Sequence, residues 1–272
     1  MRRSLFTAVA VAPLVLLCGA PALAATTISG AQTTPVNTST ANSGQPDDVT
    51  ITGSVTVTAP VAVTVDSNNT LTNSGSISIT DVDNSTGVLI LGGHTGSLVN
   101  GGAISVIESY TATDTNGDGV LDGAFAKGTG RYGVRVTGTS PFIGSLTNGS
   151  GGSITVNGNN SFGLSVEAPL QGDVLNLGTI TLTGDNTVAL RETAGVTGKI
   201  QLLGGASATG GGAQAVDLAG NVTGALSIYN TIQSTGYRTI TRSTDPAVNA
   251  LLLPEDLLQA KSAVSTESMM PS

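Results

Sequence analysis

The chain has 272 residues, a formal net charge of −8 and only 3% aromatic side chains. An acidic, aromatic-poor surface argues against nucleic acid or anionic lipid as a partner. The one cysteine, Cys18, falls in the N-terminal leader, so disulfides and thiol chemistry are excluded for the rest of the chain.

Residues 1–24 read as a secretory signal peptide. Arg2 and Arg3 give the positive start, Leu5 to Leu17 the apolar core, and Ala22-Leu23-Ala24 a small-x-small cleavage site before Ala25. Arg3 is not followed by the x-Phe-Leu pattern of twin-arginine export, which favours the Sec route. Leu17 stands where a lipoprotein cysteine would need a small residue. No second long apolar run follows, so no helical membrane span is expected beyond the leader. Residues 25–48 are polar, with Pro35 and Pro46, and read as a loosely ordered leader or N-terminal cap.

Strict alternation then begins: Val49, Ile51, Val55, Val57, Val61, Val63 and Val65. This is the period of a strand. A phrase Asn-x-Gly-x-Ile follows at Asn73–Ile77, Asn100–Ile104 and Asn176–Ile180, and in a form stretched by two residues at Asn148–Ile154. An apolar residue lies two before each Asn (Leu71, Leu98, Leu146, Val174) and two after each Ile (Ile79, Val106, Val156, Leu182). Gly172, Gly198 and Gly224 are spaced by 26, as are Gly163, Ala189 and Ala215. A fixed period of this size signals stacked supersecondary units. The alternative is an antiparallel sandwich whose Asn-Gly steps are hairpin turns, but a sandwich has no reason to keep one period.

The expected fold is therefore all-β, a right-handed parallel β-helix with about 26 residues per coil over residues 49–242, carrying an insertion at 107–130. Its apolar residues would form ladders, with equivalent positions about 4.8 Å apart. Asn73, Asn100, Asn148 and Asn176 would stack as an amide ladder. The Asn place is taken by Leu202 and Ile228 in the last two units, where the pattern decays. Residues 243–272 read as an irregular tail with a short helix near Leu251–Ala263.

The signal peptide, the cysteine-free mature chain and the coils from Asn73 to Ile180 resemble the N-terminal passenger of a bacterial autotransporter, a type V secreted β-helix protein. The coil spacing extends the likeness to about residue 240. The resemblance implies a secreted or surface-displayed structural or adhesion module without catalytic activity, located at the outer membrane or outside the cell. Its implied partners are a surface or glycan ligand and a C-terminal β-barrel. The ten-residue, aromatic-girdled strands of such a barrel are not legible in this chain, and without a barrel the expected location is the periplasm.

The strongest candidate for a bound ligand is a D-x-N-x-D-G-x-x-D run within the insertion. Asp114, Asn116 and Asp118 offer hard oxygens at alternate positions, Gly119 permits a sharp turn, Val120 offers its carbonyl, and Asp122 completes the set. The run is similar to calcium loops of the dockerin and thrombospondin type-3 kind. Phe125 stands at the twelfth position where an EF-hand has Glu, so the expected Ca²⁺ affinity is weak, about 10⁻⁴ M. The competing reading is a solvated acidic loop.

Catalytic groups are scarce. His94 is the only histidine and sits beside Gly92-Gly93, as a turn residue would. The alternative function, a β-helix polysaccharide-cleaving enzyme, needs clustered carboxylates. Asp81 and Glu108 hold equivalent places, two residues after Ile79 and Val106; stacked acids could raise one pKa, but the simpler expectation is that the two side chains diverge into solvent. Arg135, Ser165, Arg191 and Asp217 are expected in one outward column, where an Arg beside an acid reads as surface pairing.

Overall fold

The computed structural model describes residues 25–115, 117 and 122–236. The expected signal peptide, residues 1–24, and the expected C-terminal tail with its short helix, residues 243–272, lie outside them. The described residues form a parallel β-solenoid. Three sheets of eight, eight and seven parallel strands run the length of the stack. Each full coil gives one strand to each sheet. Val174–Asn176, Thr179–Thr183 and Val188–Glu192 make up one such coil. Among the described residues the only helical turn is a 3₁₀ turn at Thr38–Thr40, and no helix is long and apolar enough to cross a membrane.

The register follows the sequence phrase. In the first sheet Leu71, Leu98, Leu146, Val174 and Ile200 pair in one column. In the second, Ile77, Ile104, Ile154, Ile180 and Ala206 form another. In the third, Val88, Val134, Leu164, Leu190 and Val216 do the same. All but Val216 are buried. At about 1.5–3 kcal/mol for each fully buried aliphatic side chain, these columns are the main source of stability.

The glycine period has a steric cause. A Cβ on Gly172 would lie 2.1 Å from the Gly144 carbonyl oxygen, and one on Gly198 would lie 2.2 Å from that of Gly172. Successive corners approach so closely that only hydrogen fits between them.

Residues 25–48 do more than lead in. Thr26–Ile28, Ala31–Gln32 and Val36–Asn37 form the first coil and pair with Val49–Ile51, Ser54–Val57 and Val61–Val65. A polar network closes this end, with Asp66 accepting from Ser39 N and Oγ, and Asp47 from Thr26 Oγ1. At the other end the last described strand is Ile232–Thr235.

Candidate functional site

The amide ladder is present and buried. Asn73 Nδ2 donates to Asn100 Oδ1, Asn100 Nδ2 to Asn148 Oδ1, and Asn148 Nδ2 to Asn176 Oδ1, each at 2.7 Å. Asn176 Nδ2 ends the run on the Gly205 carbonyl. Leu202, fully buried, fills the next place.

The insertion leaves the stack after Ala103–Ile107 and returns at Tyr132–Thr137. Its base is fastened by a buried ion pair. Arg131 donates from one terminal nitrogen to Glu108 Oε2 at 3.0 Å and to the Asn157 carbonyl at 2.6 Å. Its other terminal nitrogen reaches Asp83, and Nε reaches the Val82 carbonyl. Glu108 also accepts from the backbone N–H of Lys127 and Gly128. Every donor that matters here is matched, the condition under which a buried pair is tolerated. Among the described residues no buried side-chain polar atom lacks a partner.

Asp81 and Glu108 are in register, as the spacing implies, since Thr80 pairs with Ile107. Their side chains diverge. Asp81 adopts φ 59° and turns out to cap Ser109, accepting from its backbone N–H and hydroxyl. Glu108 turns in to Arg131. The two acids are therefore not stacked side by side: they diverge, as expected, although Glu108 turns inward rather than to solvent. The Ser109 hydroxyl, followed by its backbone N–H, holds the Asp81 carboxyl below the usual carboxylate range. His94 directly follows the Gly92-Gly93 turn, with its carbonyl accepting from Ile143 N–H.

Of the five candidate calcium residues, Asn116, Asp118 and Val120 lie outside the described residues. Asp114 and Asp122 hold the ends of the loop. Asp114 Oδ1 accepts from Gly117 N–H at 2.7 Å. Asp122 Oδ2 accepts from the Thr115 N–H and hydroxyl, and Asp122 bridges Thr113. Among the described residues no group of three or more His, Cys, Asp or Glu is arranged to hold a metal ion.

The outward column on the third sheet is as expected, with Arg135 opposite Ser165, Ser165 opposite Arg191, and Arg191 opposite Asp217. The acid that joins it is Glu167, which the spacing did not single out. Arg135 Nε and a terminal nitrogen donate to Glu167 Oε2 at 2.9 and 2.7 Å. The Ser165 hydroxyl donates to Oε1 at 2.9 Å, and Arg191 approaches Oε1 at 3.6 Å. Two rings seat the guanidinium groups. Arg135 lies 4.3 Å from the Tyr132 centroid, Arg191 lies 4.6 Å from that of Phe162, and the rings are 5.0 Å apart. Burial, and next the charge on Glu167, push the Tyr132 phenol above its usual range. Comparison with known protein families, with curated proteins and with solved structures found no match for the chain.

Proposed function

We propose that this chain is an exported, passenger-type structural module that displays a rigid rod surface for adhesion and has no catalytic activity. One observation carries the reading: equivalent residues keep their register through every coil, from Thr26 opposite Val49 to Leu202 opposite Ile228. Eight coils at the parallel-strand spacing make a rod about 35 Å long. Among the described residues its interior is filled by side-chain columns, and the outer faces are what it offers a partner. The second sheet presents an outward column of Thr56, Ser78, Ser105, Thr155, Thr181 and Ser207, polar and uncharged. The divergence of Asp81 and Glu108 favours the adhesion reading over a glycan-cleaving one.

The proposal includes the autotransporter pathway, export behind residues 1–24 and weak Ca²⁺ binding at residues 114–122, where the cation would stiffen the insertion. The test has two arms. Mature chain from the native host is sequenced from its N-terminus and assayed for binding to immobilised surface glycans and cells. The same material is incubated with polysaccharides and new reducing ends are counted. An N-terminus at Ala25, surface binding and no new reducing ends are expected. An N-terminus at Met1, or steady release of reducing ends, overturns the reading.

A further inference from the structure

The two ends of the described solenoid finish differently. At the start, the inward columns of the first and second sheets begin on polar residues, Thr26 ahead of Val49 and Gln32 ahead of Val55. At the other end the same columns finish on Leu226, Ile228 and Ile232. These side chains are 48%, 43% and 41% exposed, although Ile200, Leu202 and Ala206 behind them are buried. An end coil with an apolar outer face calls for a cover. The backbone points the same way. In earlier coils the N–H at the Leu226 place donates to the coil ahead: Leu146 to the Asp173 carbonyl, Val174 to that of Lys199, Ile200 to that of Ala225. In the second sheet Ala206 N–H donates forward to Thr231. Leu226 and Ile232 hold the next places, and no described strand lies ahead of them.

The sequence beyond Gly236 keeps the beat. Leu252 and Leu258 stand 26 residues after Leu226 and Ile232, and Ala260 stands 26 after Ser234. Pro254 stands 26 after Ile228. Tyr229 N–H donates back to the Leu202 carbonyl, so by strand alternation the N–H at the Ile228 place faces forward. A proline at 254 would therefore lack only the N–H that a still later coil would use, which an edge strand tolerates. Arg242 stands 26 after Val216, so the third column would not be extended.

We infer that residues 251–260 close the apolar end of the solenoid as a last pair of strands, with Leu252 over Leu226 and Leu258 over Ile232. They would take the place of the short helix expected over Leu251–Ala263. The inference goes beyond the adhesion reading and stands without it. A second copy fits less well. Its polar first coil does not match this apolar end, and it would pay an association entropy that a tethered segment avoids.

The test uses the chain from Ala25 to Ser272 at low micromolar concentration. Exchange of the Leu226 and Ile232 amides is followed by NMR, and Leu252→Asp combined with Leu258→Asp should speed it roughly ten-fold or more. These changes lie outside the described coils, and unchanged exchange at Leu146 and Val174 checks that the stack survives. In a second variant, Ser227→Cys with Leu253→Cys places two thiols on neighbouring strands about 5 Å apart, within disulfide reach. It should oxidise within one molecule, whereas Ser227→Cys with Ser262→Cys should not. Equal exchange in wild type and the Asp variant, equal oxidation of both cysteine pairs, or disulfides formed only between molecules would each overturn the inference. A wild-type dimer that Ile232→Asp splits would assign the cover to a second copy and overturn it too.

Discussion

Asn100 and Asn148 share a buried 2.7 Å hydrogen bond although 48 residues separate them in the chain. The separation contains the whole 107–130 insertion. The insertion therefore leaves the stack and returns without moving the ladder by one rung. All three rungs point the same way, each amide donating to the next coil, so the ladder has a middle and an end.

That direction makes a graded prediction. Asn148→Leu strips Asn100 of its acceptor and Asn176 of its donor, and should cost about 3 kcal/mol in urea unfolding. Asn176→Leu touches one neighbouring amide and should cost roughly half as much. Leu202 shows that leucine fits the cavity, so packing alone should not decide the result. Thr181→Ser, at an exposed position, should stay within about 0.5 kcal/mol of wild type. Equal costs for the two Asn changes would mean that the amides act singly.

A second prediction concerns the base of the insertion. Glu108→Ala leaves the Arg131 guanidinium buried beside a gap and should cost about 3–5 kcal/mol. It should also open the segment between Glu108 and Arg131 to proteolysis. Replacing both residues with methionine should restore part of the loss, since no buried charge is stranded. A double variant worse than Glu108→Ala would show that the ion pair itself is the source of stability.

The parts of the fold read from sequence are those that recur. The Asn-x-Gly-x-Ile phrase marks the same corner in four coils, and Leu71, Leu98, Leu146 and Val174 mark the same inward position. The first coil was missed because its strands are only two or three residues long and set among polar neighbours. A second asparagine column also escaped. Asn160 and Asn186 sit in left-handed turns at φ 49° and 54°, and Gly212 follows at φ 69°. Their spacing is 26, but isolated polar turn residues carry no periodic apolar signal. Thr187 looks exposed among Asp185 and Asn186, yet it is fully buried with its hydroxyl on the Gly184 carbonyl. The arginine column was legible because register alone sets it. Glu167 and the ring seating were not, because long side chains choose their partners by rotamer and local charge.

Acid should loosen the start of the insertion. The Asp81 pKa is lowered in the fold, so its contribution is complete above the ordinary aspartate value of about 3.9 and is lost as pH falls through the lower folded value. Exchange of the Ser109 amide, which donates to Asp81 at 2.7 Å, reports this directly. Wild type should protect that amide better than Asp81→Asn at pH 6, and the difference should vanish in strong acid. A difference independent of pH would show that the carboxylate charge plays no part.

Calcium should act on the same insertion. Ligands at alternate positions around a tight turn suit its flexible oxygen cage better than the stricter geometry of magnesium. Millimolar Ca²⁺ should slow proteolysis within residues 108–130 and raise the melting temperature, as binding to the folded state alone requires. Asp114→Ala combined with Asp118→Ala should abolish both effects. Flat calcium titrations of wild type and variant alike would leave an acidic surface loop.

Distance along the stack tests the coil-on-coil architecture most directly. Residues 25–272 carry no cysteine, so spin labels can be placed at will in that segment. Thr50 and Ser227 lie in one outward column of the first sheet, joined through Thr72, Val99, Thr147, Leu175 and Gln201. Double electron–electron resonance on Thr50→Cys with Ser227→Cys should give one narrow distance near the backbone separation of about 29 Å, six strand spacings, with Thr50→Cys and Thr147→Cys at about half that. A broad distribution, or two pairs with the same distance, would contradict a continuous parallel solenoid.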